Sequence, residues 1–333
     1  MKAIVYHIYG SPDVLQCEEV EKPAAGDNEV LIKVRAASLN PLDWRLMRAE
    51  PYFIRAMTGL RKPRDGRVGR DLAGQVEAVG RNVTQFKPGD EVFGASRGGT
   101  CAEYACADES RLALKPANLS FEQAAAVPVA GISALQGLRD KGRIHPGQNV
   151  LINGAAGGVG TFAVQIAKSF GADVTGVCST RNVEMVRSIG ADRVIDYTRE
   201  DFTKGRQRYD LILDNVGNRS LSDCRRVLAP VGRLVLVGAG SQGQNEGGSV
   251  GTLARTMAAI LLSPFVSQKV FTFMARINQQ DLVALRELME AKKVTPVIDR
   301  CYKLSEVPEA IRYLEAGHAR GKVIITLEHS NSA

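Results

Sequence analysis

Hydrophobic and polar positions change their rhythm near residue 120. Before it, short strand-like apolar runs fall at 29–37, 71–79, 91–93, 102–105 and 111–114, punctuated by glycine, proline and aspartate. Asn28-Glu29 and Lys87-Pro88-Gly89-Asp90 are turn signals between them, so a strand-rich, barrel-like domain is predicted. Met1-Lys2-Ala3-Ile4-Val5-Tyr6 reads as a strand, which leaves no room for a signal peptide. From 121 to 275, apolar strands at 149–153, 173–178, 193–195, 209–213, 233–237 and 269–273 alternate with helical patterns at 159–170, 182–189 and 220–228. That alternation predicts right-handed βαβ units on a parallel, doubly wound six-stranded sheet. Beyond 275 come a long amphipathic helix at 279–292, a short helix at 307–316 and a strand at 322–327. The tail breaks the alternation, so it is expected to rejoin the first domain. The predicted organisation is an α/β protein with domain 1–120, completed by 276–333, around domain 121–275.

Composition narrows the class. With 44% hydrophobic and 24% charged residues in 333, the chain is globular; disorder, collagen and coiled coil are excluded. The net charge of +7 is scattered and not interleaved with aromatic residues, so nucleic acid is not an expected partner. The longest apolar run, 257–266, is broken by Ser263-Pro264 and is too short to span a bilayer, so no membrane partner is expected either. Six cysteines without a Cys-x-x-Cys pair suit a reduced, cytoplasmic setting.

The sharpest chemical signal is the run Asn149-Val-Leu-Ile-Asn-Gly154-Ala155-Ala156-Gly157-Gly158-Val159-Gly160. A buried strand enters a glycine turn, and an apolar helix starts directly behind it. Glycines let the backbone approach a pyrophosphate, while the helix start offers N–H groups and partial positive charge. Gly154, Ala155, Gly157, Gly158, Val159 and Gly160 are therefore candidates to hold a dinucleotide. The second strand ends in Cys178-Ser179-Thr180-Arg181-Asn182, with no acid to bind a ribose 2′-hydroxyl. Ser179, Thr180 and Arg181 suit a 2′-phosphate, favouring NADPH; the alternative is two helix-capping hydroxyls beside a solvated arginine. Asn215, Gly217, Val237 and Gly238 follow strands at their carboxyl ends, either beside ribose and nicotinamide or as ordinary loop residues.

Several further motifs come in a specific order: Asn40-Pro41-Leu-Asp43, Gly69-Arg70-Asp71-Leu-Ala-Gly74, Pro88-Gly89-Asp90, Gly98-Gly99-Thr-Cys-Ala-Glu103-Tyr104, Ile195-Asp196-Tyr197 and Gly321-Lys322-Val-Ile-Ile. Together with the glycine turn they resemble the zinc-independent, quinone oxidoreductase-like branch of the medium-chain dehydrogenase/reductase superfamily. The resemblance implies a GroES-like catalytic domain and a Rossmann domain. It places Tyr197 near the 2′-phosphate and Ser133 near the nicotinamide. Phe271, on the sixth strand, joins the cofactor candidates, and a homodimer through 269–273 is implied. Where zinc-dependent members carry cysteine, histidine and cysteine, this chain has Asn40, Arg70 and apolar Pro128-Val129, so no metal is expected.

Without a Lewis acid, the implied reaction is hydride transfer from NADPH to a small-molecule quinone or enone, whose negative charge delocalises. Asn40 and Tyr52 are candidate donors to the substrate oxygen. Asn40 also reads as a turn residue before Pro41, and Asp43 as an acid or as a structural acceptor. Arg70 and Asp71 are candidates to pair with each other in place of the metal. A basic stretch from Arg61 to Arg70 reads as a solvated loop or as an attractor of an anionic substrate. The alternatives are an enoyl thioester reductase and a non-catalytic NADPH-binding protein.

Overall fold

Residues 1–50, 52–237 and 267–328 are described by the computed structural model; Gly238 and the 257–266 run lie outside them. The first compact unit comprises residues 1–132, 277–292 and 296–333. In it β1 (Lys2–Val5) pairs antiparallel with β2 (Gln16–Glu19). A larger sheet contains β3 (Glu29–Leu39), β4 (Asp71–Val79), β5 (Glu91–Ala95), β6 (Tyr104–Asp108) and β7 (Leu112–Leu114). The order β3-β4-β5-β7 is antiparallel throughout, with β6 added on β3. Most of β3 is buried, as expected of a strand with neighbours on either side, and its apolar residues enter the unit's main core.

The second unit comprises residues 133–276 and 293–295. Its sheet runs in the order β10-β9-β8-β11-β12-β13, every pair parallel. The strands are β8 (Asn149–Asn153), β9 (Asp173–Cys178), β10 (Arg193–Asp196), β11 (Tyr209–Asp214), β12 (Leu228–Val237) and β13 (Lys269–Phe273). This is the doubly wound order in which the sequence of strand addition reverses between β8 and β11, the place where such sheets bind ligands. The apolar Val150, Leu151, Ile152, Leu211, Ile212 and Leu213 of these two central strands are fully buried.

The tail rejoins the first unit. Helix Gln279–Glu290 is followed by β14 (Ile298–Lys303), helix Val307–Glu315 and β15 (Lys322–Thr326). β15 pairs antiparallel with β3 and parallel with β14. This pairing sets Val323 opposite Leu39 and so brings Lys322 to the end of β3.

Two sequence expectations change. The segment 121–132, expected in the cofactor domain, belongs to the first unit. Its helix Phe121–Ala125 buries Ala124 and Ala125 and packs on β3, β4, β5 and β15, so the sheet claims it. β14 has no counterpart in the predicted strands. Its Ile298-Asp-Arg-Cys-Tyr-Lys sequence suits a mostly exposed edge strand and carries little apolar signal. Among the described residues, no helix is long and apolar enough to cross a membrane.

Candidate functional site

The glycine turn leads straight from β8 into a helix start. Gly154, at φ +80°, turns the chain out of β8, and the Gly154 and Ala155 N–H groups both donate to Val177 O on β9. Gly157 caps helix Gly158–Ser169 with no side-chain bond and no acid in the first turn. The opening N–H groups of that helix, including those of Gly158, Val159 and Gly160, are thus left for an anion. The glycines differ in duty. A Cβ on Gly160 would stand 2.0 Å from Gly154 O, so the turn itself forbids one. A Cβ on Gly157 would meet only Gly154 O, at 3.6 Å, so the protein leaves that space open. An uncapped helix start beside open space fits the pyrophosphate of a nicotinamide dinucleotide.

Two partners missed in the sequence brace the turn. Asn153 Nδ2 donates to Asp214 Oδ1 at 2.8 Å and to Asn218 Oδ1 at 3.1 Å. The same Asp214 oxygen accepts from the Val216 and Gly217 N–H groups, which shapes the loop that carries Asn215 and Gly217. Asn215 in turn bonds Asn153 O through its N–H and its side-chain amide. An acid ending the apolar run Leu211-Ile212-Leu213 was the available signal, because a buried carboxylate needs donors.

At the end of β9, Tyr197 donates its N–H to Cys178 O, which sets this half-exposed residue next to the strand end that leads into Ser179, Thr180 and Arg181. Arg181 is exposed. Ser179 Oγ accepts from Asn182 Nδ2 at 3.1 Å. Thr180 Oγ1 donates to Asp196 Oδ2 at 2.6 Å, so its hydroxyl is committed to an acid supplied by β10. Asp196 also accepts from the Thr198 N–H and hydroxyl, and these bonds, with that of Thr180 foremost, hold its carboxyl below its ordinary pKa. The sequence search for an acid ended on β9 and therefore overlooked this neighbour.

The remaining cofactor candidates are dispersed within the second unit. Val237 ends β12, one residue beyond the level of Asp214. Ser133 is buried on helix Pro128–Gln136. Phe271 is not brought to the turn. It pairs with Val235 on the outer strand β13, level with Ile152 across the sheet, and lies under the Arg233 guanidinium.

In the first unit, Asn40 ends β3 in an extended conformation and caps helix Pro41–Arg48, where Pro41 fits because the first helical N–H needs no partner. Asp43 Oδ2 accepts the Asn40 N–H at 2.7 Å. The Asn40 side chain turns inward. Its Nδ2 donates to Asp71 Oδ2 at 2.9 Å, and its Oδ1 accepts from Lys322 Nζ at 2.7 Å. Lys322 also donates to Leu39 O and stands 3.5 Å from Asp71 Oδ2, while Asp71 Oδ1 accepts the Val129 N–H. All four side chains are buried. Burial pushes the Asp43 carboxyl up to about 6, against the Asn40 N–H bond and the Arg70 charge. It also raises Asp71 and lowers Lys322, although each opposes the shift of the other.

Three further residues bear on the sequence expectations here. Asp71 spends its carboxylate on Asn40, Lys322 and Val129 and does not pair with Arg70, whose charge acts on Asp43. Tyr52 is 73% exposed with the Arg55 guanidinium over its ring. Lys322 carries a central position that the sequence reading treated only as part of a motif. A lysine opening the apolar run Val323-Ile324-Ile325 was its signal, since buried ammonium groups require partners.

Comparison with known proteins adds to this geometry. Residues 26–132 match the family model of the alcohol dehydrogenase GroES-like domain, and residues 189–325 that of zinc-binding dehydrogenases. A 2-methylene-furan-3-one reductase of Solanum lycopersicum is 37% identical, over 98% of this chain and 79% of its own length. A chloroplastic NADPH-dependent alkenal/one oxidoreductase of Arabidopsis thaliana is 35% identical over the same shares. The solved quinone oxidoreductase of Coxiella burnetii superposes with a TM-score of 0.84 at 31% identity, covering 98% of this chain and 99% of that one.

Proposed function

Since the chain belongs to the quinone oxidoreductase-like branch of the medium-chain dehydrogenase/reductase superfamily, and so to the NAD(P)H oxidoreductases, we propose that it reduces quinones or α,β-unsaturated carbonyls with NADPH and without zinc. One observation carries this reading: the buried Asn40 amide is fixed between a carboxylate and an ammonium and, among the described residues, keeps one N–H to spare. Zinc does not fit beside it. A dication approaching Asn40 Oδ1 would meet the Lys322 ammonium at 2.7 Å from that oxygen, with the Arg70 charge near enough to act on Asp43.

The bound cofactor supplies the hydride, and the protein's task is to hold and to stabilise. The N–H groups opening helix Gly158–Ser169 hold the pyrophosphate. Ser179 and Arg181, beside Tyr197, receive the 2′-phosphate, while Thr180 restrains the Asp196 carboxylate. The spare Asn40 N–H meets the substrate oxygen as negative charge gathers on it. Solvent delivers the proton that completes reduction. The names of the Arabidopsis and Coxiella relatives, an NADPH-dependent alkenal/one oxidoreductase and a quinone oxidoreductase, support both the cofactor and the substrate class.

The test follows absorbance of NADPH, and of NADH in parallel, with a quinone, an enone and a crotonyl thioester, after treatment with a metal chelator. Oxidation of NADPH with the quinone or the enone, at least about tenfold faster than of NADH at low cofactor concentration, is expected. Silence with all three acceptors, or loss of activity on chelation, would overturn the proposal.

A further inference from the structure

The Asn40 carboxamide has two ways to lie, and its neighbours permit one. As a charged pair, Lys322 Nζ can only donate and Asp71 can only accept. A flipped amide would set NH₂ against the ammonium and its oxygen against the carboxylate, replacing two charge-assisted bonds with two repulsions. The partners are themselves anchored. The Lys322 ammonium has Leu39 O, Asn40 Oδ1 and Asp71 Oδ2 around it, and Asp71 is tied by its other oxygen to the Val129 N–H. The second hydrogen on Asn40 Nδ2 is the donor this network leaves over among the described residues. An ammonium on the amide oxygen also draws electron density from the nitrogen, which strengthens that donor.

We propose that Lys322 is the positioning residue of the reaction: it locks and polarises the Asn40 amide so that the spare N–H is directed at the developing oxyanion. The inference rests on the reading of Asn40 as donor to the substrate oxygen. It explains a cost that packing alone does not. Lys322 opens a strand whose following residues are buried and apolar, and it is itself 3% exposed against the buried Asp71, a place where an apolar pair in exchange for both charges serves stability as well or better.

A double-mutant cycle tests it in the full-length enzyme with NADPH and an enone. Lys322→Met is expected to lower kcat roughly tenfold to a hundredfold, the range left when a preorganised donor to a delocalised oxyanion is loosened, with KM for NADPH unchanged. In the Asn40→Ala background the same substitution is expected to change kcat less than about twofold, since the group it acts through is gone. Lys322→Gln keeps a donor for the amide oxygen without the charge, so its kcat is expected between those of the natural enzyme and Lys322→Met. It also serves the cycle if Lys322→Met fails to fold. A Lys322 loss of equal size with and without Asn40 would overturn the inference and leave the assigned activity standing. Unaltered turnover in Asn40→Ala alone would remove the reading of Asn40, and this inference with it.

Discussion

Replacing Asp43 by asparagine isolates the energetic cost of the buried network. The carboxyl is pushed from an ordinary 3.8 up to about 6, chiefly by burial, so the folded chain holds its proton more tightly than the unfolded chain. An acid shifted upward contributes its full stability below the unfolded value and loses it as pH rises through the folded one. The window therefore runs from 3.8 to about 6, and the ionised group costs about 3 kcal/mol above it. Asparagine keeps an oxygen for the Asn40 N–H and discards the buried charge. The variant's stability relative to the natural chain is expected to improve by about 2.5 kcal/mol between about pH 4 and about pH 8, mostly below about pH 6. Trp44, the single tryptophan, packs against the first unit's core and reports its unfolding in urea by fluorescence. A difference between variant and natural chain that stays flat with pH, or that moves against the variant, would refute the reasoning. It would mean that attraction to Arg70 and Lys322 outweighs burial.

Three further outcomes follow from the second unit. Arg181→Ala is expected to weaken NADPH at least about tenfold while leaving NADH nearly unchanged, measured by titration calorimetry; equal losses would remove the 2′-phosphate assignment. Asp196→Asn takes away the carboxylate that Thr180 restrains and is expected to tighten NADPH relative to NADH; a shift toward NADH would show that this acid serves a ribose hydroxyl. Gly157→Ala is expected to preserve the melting temperature and to abolish measurable NADPH binding, because the added methyl meets open space in the protein alone, whereas Gly160→Ala is expected to lower both. NADPH binding intact in Gly157→Ala would place the pyrophosphate elsewhere.

How far the sequence discloses such a site depends on whether its partners are local or distant. The glycine turn is legible because strand, turn and the start of the helix follow one another without a break in sequence, and its backbone geometry demands glycine. The six-stranded sheet is legible for the same reason, since each strand announces itself by its own apolar run. Lys322 is separated from Asn40 by 282 positions and from Asp71 by 251, and the antiparallel pairings of β3 with β15 and with β4 bring them together. No local pattern encodes those pairings. Asp196 escaped for a related reason: it arrives on the neighbouring strand β10, so a search along β9 alone could not meet it. In both cases the residue left a one-letter trace, a charge attached to a hydrophobic strand. A charge in that position must find partners across the sheet, so single charged residues at the ends of apolar strands are where a sequence reading of this fold should look for the chemistry that local motifs omit.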